Sequence, residues 1–208
     1  MDNRAGFLLE NWKKRNISGF YCDDKKQAVE KLLGIIPVSA RVGISGSVTL
    51  DQLEAVKKLE SRGNTVFNQY KTGISRQENL ELRKQGTMAD YYLASANAVS
   101  KTGELVFLSA YGNRIAGVAN AGNVIIVCGI NKITENLSLA LKRAREYVTP
   151  LNCKRLNWQS ACLKDGVCSE GDCFVPAYKR MCCQTLIIES ELTPERLKVI
   201  LVGEELGY

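Results

Sequence analysis

Apolar positions along the chain fall into two rhythms, and their alternation predicts the element order. Residues 5–16 and 24–34 place Leu8, Leu9 and Trp12, then Ala28, Leu32 and Leu33, on one face of a 3.6-residue repeat, which predicts two helices. Residues 17–22 between them predict a short strand. Pro37 closes the second helical region, and residues 41–44 open a strand that runs into glycine- and serine-rich sequence. Residues 50–62 predict one amphipathic helix ended by Gly63, residues 65–67 a short strand, and residues 76–85 a polar helix centred on Leu80. Residues 90–94 and 104–108 read as strands on either side of a Lys101-Thr102-Gly103 turn.

The strongest strand is at residues 123–128, a continuous β-branched run of the kind covered on both sheet faces. Residues 137–148 predict an amphipathic helix, with Leu137, Leu141 and Ala144 in register and Pro150 as its end. Residues 152–183 show little periodicity. Residues 185–188 and 198–202 then predict two more core strands. Strands alternating with helices around a buried central strand predict an α/β fold with a mainly parallel sheet flanked by helices. No internal repeat or low-complexity linker divides the chain. It is therefore expected to be a single domain over residues 1–208, with an N-terminal helical segment at 1–36 and an excursion at 152–183.

Composition narrows the chemistry. The chain has 208 residues, 45% hydrophobic and 24% charged, as in ordinary globular proteins. It has no histidine, which excludes Ser-His-Asp and Cys-His catalytic pairs, imidazole bases and Cys/His zinc fingers within the chain. Lys and Arg number 28 against 22 Asp and Glu, and the formal charge of +6 favours anionic partners. The basic residues are spread out. Their densest cluster, Lys13-Lys14-Arg15, reads as a solvated helix end, and nucleic acid is not an expected partner. The N-terminal residues lack the apolar core of a secretory signal, and the longest apolar run, residues 124–130, is too short to span a bilayer. The expectation is a cytoplasmic protein without a membrane partner, whose eight cysteines are thiols, metal ligands or redox groups rather than structural disulfides.

The run from Arg41 to Leu50 passes from strand through a small-residue turn to helix. Gly43 and Gly46 allow close backbone approach, while Ser45, Ser47 and Thr49 offer hydroxyls, a combination suited to an anion at a helix N-terminus. Ser47 or Thr49 serving simply as the helix N-cap fits the same residues. Further along, Asn97 follows one strand, Asn113-Arg114 another, and Lys132 the central one. If those strands are parallel neighbours, their carboxyl ends bring an amide, a guanidinium and an ammonium group together.

The ordered segments VGISGSVTL (42–50), ADYYLASANAVSKTGELV (89–106), GNRIA (112–116), GINKI (129–133), PLNCKRL (150–156) and VGEELGY (202–208) resemble the LUD-domain family of lactate-utilisation proteins, also called YkgG-like. The resemblance covers nearly the whole chain in colinear order. It implies a fold similar to ribose-5-phosphate isomerase, glucosamine-6-phosphate deaminase, CoA transferases and formyltetrahydrofolate cyclo-ligase. It also implies work alongside iron-sulfur partner proteins in oxidising lactate to pyruvate. Two departures stand out: Leu108-Ser109-Ala110-Tyr111 replaces an Asp-Gly-containing stretch, and Ser45-Gly46 stands where paired glycines are common. No ferredoxin-type domain is appended, so the chain resembles a stand-alone member.

Six cysteines fall between residues 153 and 183. Thiolates clustered in a short loop suit zinc or an iron-sulfur cluster, and the expected ligands are Cys162, Cys168, Cys173 and Cys182. No CxxC is present; family members commonly show one where this chain has four residues between Cys168 and Cys173. Buried, metal-free thiols fit the same pattern, and Cys22 and Cys128 read that way. The expected ligand-binding set is Gly43, Ser45, Gly46, Ser47, Thr49, Asn97, Glu104, Asn113, Arg114 and Lys132. Three roles follow. The leading one is a subunit or accessory of an iron-sulfur system oxidising lactate or a related 2-hydroxy acid, with an anionic small molecule, iron-sulfur proteins and a second copy of the chain as partners. The second is a stand-alone enzyme on a phosphorylated or CoA-linked small molecule, with Glu104 or a cysteine as nucleophile. The third is a metal- or redox-sensing protein acting through its cysteine loop.

Overall fold

A computed structural model describes residues 3–168, 173–174 and 178–208. Its centre is a sheet of six parallel strands in the order β1-β10-β7-β4-β2-β3. These are β1 (Ser18–Cys22), β2 (Arg41–Ile44), β3 (Thr65–Phe67), β4 (Tyr91–Ala94), β7 (Val124–Gly129) and β10 (Leu197–Val202). A second, four-stranded sheet runs β8-β5-β6-β9, from β5 (Ala98–Ser100), β6 (Leu105–Ser109), β8 (Ile133–Thr134) and β9 (Gln184–Ile188). The helices are α1 (Asn3–Lys14), α2 (Lys25–Ile35), α3 (Val48–Gln52), α4 (Ala55–Ser61), α5 (Arg76–Thr87), α6 (Asn113–Asn120), α7 (Leu137–Lys142), α8 (Thr149–Arg155) and α9 (Ala161–Asp165). Among the described residues no helix is long and apolar enough to cross a membrane.

Strand β7 is buried along its whole length, as a continuous apolar run between two helical layers should be. Ile125 and Val127 face one core, with Leu32, Leu50 and Leu59. Ile126 and Cys128 face the other, with Leu8, Trp12 and Phe107 of the second sheet. Each such side chain contributes about 1.5–3 kcal/mol by leaving water, so the two cores hold the sheet from both sides.

Four departures from the periodicity have local causes. The expected single helix at 50–62 is broken, because Glu54 takes a left-handed φ of 51° and starts a new helix. The break lets both Leu50 and Leu53 reach the core. Pro150 does not end its helix. Residues Arg143–Val148 form a π-helical turn and α8 continues from Thr149, with proline in its first turn, where the missing N–H costs little. Strand β9 is not a core strand but the largely exposed edge of the second sheet. Strand β5 and helix α6 carry no strong periodic signal, being three and eight residues long.

The order of strands places the site. From β2 the chain steps outward to β3, returns to the other side of β2 for β4, then continues through β7 to β10. The loops after β2 and β4 therefore part in opposite directions, leaving a crevice at the carboxyl ends of the strands, the usual ligand position in such sheets.

Candidate functional site

That crevice holds a cavity of about 310 Å³ and, beside it, a smaller chamber of about 40 Å³. The two share Gly46, Asn97, Arg114, Val148, Asn152 and Arg155 as walls, so they form one site in two parts. Among the described residues no Asp or Glu lines either part.

Arg114 sits at the junction. Gly112, at φ +83°, makes the tight turn that starts α6 and aims Arg114 inward. Its Nη1 donates to Asn97 Oδ1 at 3.1 Å and to the Leu108 carbonyl at 3.1 Å, and its Nη2 donates to the Gly46 carbonyl at 2.5 Å. Asn97 is fixed in turn by the Leu108 N–H at 2.9 Å. Burial pushes the Arg114 pKa down from its ordinary value, yet a guanidinium remains charged at neutral pH. All its partners are neutral oxygens. Lys132, 4% exposed, lies in the smaller chamber and donates to Thr49 Oγ1 at 3.0 Å, Ser95 Oγ at 2.8 Å and the Ala96 carbonyl at 3.2 Å. Burial, with Arg143 and Arg114 near, lowers its pKa to about 8. Neither cation has a carboxylate partner among the described residues.

The glycine-serine loop divides its expected roles. Ser47 is the N-cap of α3, its Oγ accepting from the Leu50 N–H at 3.3 Å. Helix α3 has only five residues, so a helix dipole adds little there. Thr49 is engaged by Lys132 and lies beside the Leu206 carbonyl at 3.3 Å. Ser45 is different: it lines the larger chamber, is 2% exposed, and its Oγ makes no hydrogen bond of normal geometry, with the Tyr92 hydroxyl as its polar neighbour. Gly46 borders both chambers, and a Cβ there would lie 2.3 Å from Tyr70 Oη. Asn113 lines the larger chamber, and its carbonyl accepts from Tyr92 Oη at 3.0 Å.

Two expected ligand residues stand elsewhere. Gly43 lies in β2 against α5; a Cβ would come 1.9 Å from the Gly86 carbonyl oxygen, so its role is close packing of helix on strand. Glu104 lines neither chamber. It pairs with Arg15 of the α1 end at 2.7 Å and accepts from the Ser100 and Thr102 hydroxyls. Burial pushes its carboxyl up, but those two hydroxyls and Arg15 outweigh burial and hold it below the usual range. Glu104 is thus a structural carboxylate, and the nucleophile role expected for it has no support in this geometry.

Cys153, Cys162 and Cys182 stand close enough to act on one another's thiols, and Cys173 acts on Cys182. Cys162 is buried, with its Sγ 3.3 Å from Ser160 Oγ. Burial pushes the neighbouring Cys153 thiol up to about 12, with Cys162 adding to the rise, and burial raises Cys182 as well. Cys182 packs on a small apolar cluster beneath the second sheet, while Cys168 lines a separate cleft with Lys142 and Glu146. Among the described residues no group of three or more Cys, Asp or Glu side chains is arranged to hold a metal ion. Residues 169–172 and 175–177 of the expected cysteine loop lie outside the described residues.

The sequence reading did not single out the outer half of the site. Tyr70, Arg83, Tyr111, Asn152, Arg155 and Trp158 line the larger chamber. Arg83 lies over the Tyr111 ring at 4.2 Å, and Tyr111 meets Trp158 at 5.8 Å with planes 88° apart. The available signal was a tryptophan in a stretch with no apolar periodicity to bury it.

The model of the LUD domain family matches residues 7–202. Among solved structures, a DUF162 family protein from Deinococcus radiodurans is similar, at a TM-score of 0.51 and 12% identity, over 97% of this chain and 99% of that one. At that identity the likeness is one of fold. A ribose 5-phosphate isomerase A from Methanocaldococcus jannaschii matches 54% of this chain and 55% of its own, with a TM-score of 0.36 and 17% identity. A search of curated proteins found no match.

Proposed function

The chain belongs to the LUD-domain family, and we propose that it serves, as a subunit or accessory, a system oxidising lactate or a related 2-hydroxy acid to pyruvate, by holding an anionic small molecule in the crevice. The observation that carries the anion-binding reading is a pair of cations, the half-buried Arg114 and the buried Lys132, facing a cavity with no carboxylate in its described lining. Burying charge is costly without a counter-charge, and a bound anion supplies one. The backbone carbonyls around Arg114 position it without neutralising it. The Ser45 hydroxyl borders the same space.

Electron-carrying centres come from iron-sulfur partner proteins in this reading. The described cysteines form no ligand group, and no step is assigned to a metal in this chain. The cavity binds and orients; the absence of histidine and of a lining carboxylate leaves it without an evident general base at neutral pH other than Lys132. A size argument favours a ligand larger than lactate. A chamber of about 310 Å³ is in the range that accepts cofactor-sized molecules, which supports a phosphorylated or CoA-linked ligand as the second reading.

Deleting the gene should slow growth on lactate as sole carbon source. Wild-type protein should restore growth and Arg114→Ala should not. Normal growth of the deletion strain would overturn the assignment to lactate oxidation, and full rescue by Arg114→Ala would separate that role from the cavity.

A further inference from the structure

Cations and exposed aromatic rings divide the larger chamber between them. At its inner end stand Arg114 and the Ser45 hydroxyl, and the smaller chamber adds Lys132. At its outer end, Tyr111 and Trp158 meet at 88° and form a right-angled corner, the face of one ring toward the edge of the other. Tyr111 is 62% exposed and Tyr70 53%, so aromatic surface of the lining is open to water. Arg83 lies over Tyr111, and its buried Nε has no hydrogen-bond partner. Arg155 borders both chambers; Tyr208 Oη at 2.9 Å from its Nε and Asn152 Oδ1 at 2.9 Å from its Nη2 hold it across the boundary.

Four cations thus line one site whose described lining has no acid. A single carboxylate offsets one of them, whereas a diphosphate spans several and suits forked guanidinium donors. An apolar tail would have to desolvate three arginines in the larger chamber. A bare phosphosugar would leave the aromatic corner unused, while a planar heterocycle stacks on it and gains from the arginine beside it.

We infer that the ligand of this cavity is a ring-bearing diphosphate, a nucleoside diphosphate or a cofactor containing one, with phosphates at Arg114 and Arg155 and the ring against Tyr111 and Trp158. The inference rests on the anion reading above and adds the ring to it.

The chain supplies its own reporter. Of its two tryptophans, Trp12 is fully buried, with its indole N–H bonded to the Gly103 carbonyl at 3.0 Å, so a stacking ligand changes only Trp158 emission. ADP and inorganic pyrophosphate are titrated into the full chain by calorimetry, with tryptophan emission followed for ADP. ADP should bind at least about tenfold tighter than pyrophosphate, from the usual worth of base stacking on aromatic rings. ADP should also change emission in wild type but not in Trp158→Phe. Tyr111→Ala, at an exposed position where folding is safe, should weaken ADP about tenfold and leave pyrophosphate within about twofold. Equal affinity for the two ligands, or equal loss of both in Tyr111→Ala, would overturn the ring and leave the anion site standing. Failure of pyrophosphate and ADP alike would remove the anion site as well. Parallel titrations of NAD and coenzyme A identify which ADP-containing molecule fits best.

Discussion

Arg114, half-buried, and Lys132, buried, face the cavity with no carboxylate partner among the described residues, and their consequences can be measured separately. Arg114→Ala removes the forked donor at the junction of the two chambers. It should weaken anion binding by tenfold or more, given about 1.5–3 kcal/mol for hydrogen bonds to charged groups, as read by calorimetry. Lys132 acts through pH. Its folded pKa of about 8 lies below the ordinary lysine value of 10.5, so the unfolded chain holds the proton more tightly. The stability of wild type relative to Lys132→Met should therefore rise as pH increases from about 8 to 10.5, by an amount on the order of 3 kcal/mol. Denaturant melts of both proteins at pH 7 and 10 check this, and an unchanged difference would contradict it. Glu104 has the same sign in an acid window: its depressed carboxyl contributes stability that is present at neutral pH and lost as pH falls below the ordinary carboxylate range of about 4.5. Glu104→Gln should flatten that acid limb while leaving anion affinity unchanged, because the residue lines neither chamber.

Elements whose burial is complete were legible in the periodicity, and elements set by a single contact were not. The run in β7 announces itself because both faces are covered, and β2 ends where its glycine-serine loop begins. The left-handed Glu54, the π turn before Pro150 and the short α6 depend on tertiary fit, which no 3.6-residue pattern encodes. The same division applies to the site. Asn97, Asn113, Arg114 and Lys132 were visible as polar residues at strand ends, and the structure brings them around the two chambers. Gly43 was misplaced because close helix packing and close ligand approach require the same residue. Its substitution gives an element-scale prediction: Gly43→Ala must push α5 off β2, costing about 1–3 kcal/mol by denaturant unfolding. The shift should also weaken anion binding, since α5 carries Arg83 into the cavity wall.

Across the whole molecule, the parallel sheet places its strand ends, the second sheet and α8 around a crevice, and four cations of the chain line it. The net charge of +6 alone says little about location. What localises it is the lack of acids in the described cavity lining beside the half-buried Arg114 and the buried Lys132. The missing histidine likewise gains meaning only with the geometry, since it leaves Lys132 as the titrating group of the site near neutral pH. Ligand charge and Lys132 protonation are then linked: an anion favours the protonated amine, so affinity must fall as pH rises through about 8. The most direct test is one calorimetric series with pyrophosphate at pH 7 and pH 9, on wild type and Arg114→Ala. Saturable binding to wild type at pH 7, severalfold weaker binding at pH 9 and a loss of tenfold or more in Arg114→Ala would be the expected result, whereas no binding to wild type, or equal binding to both proteins, would contradict an anion site in this crevice.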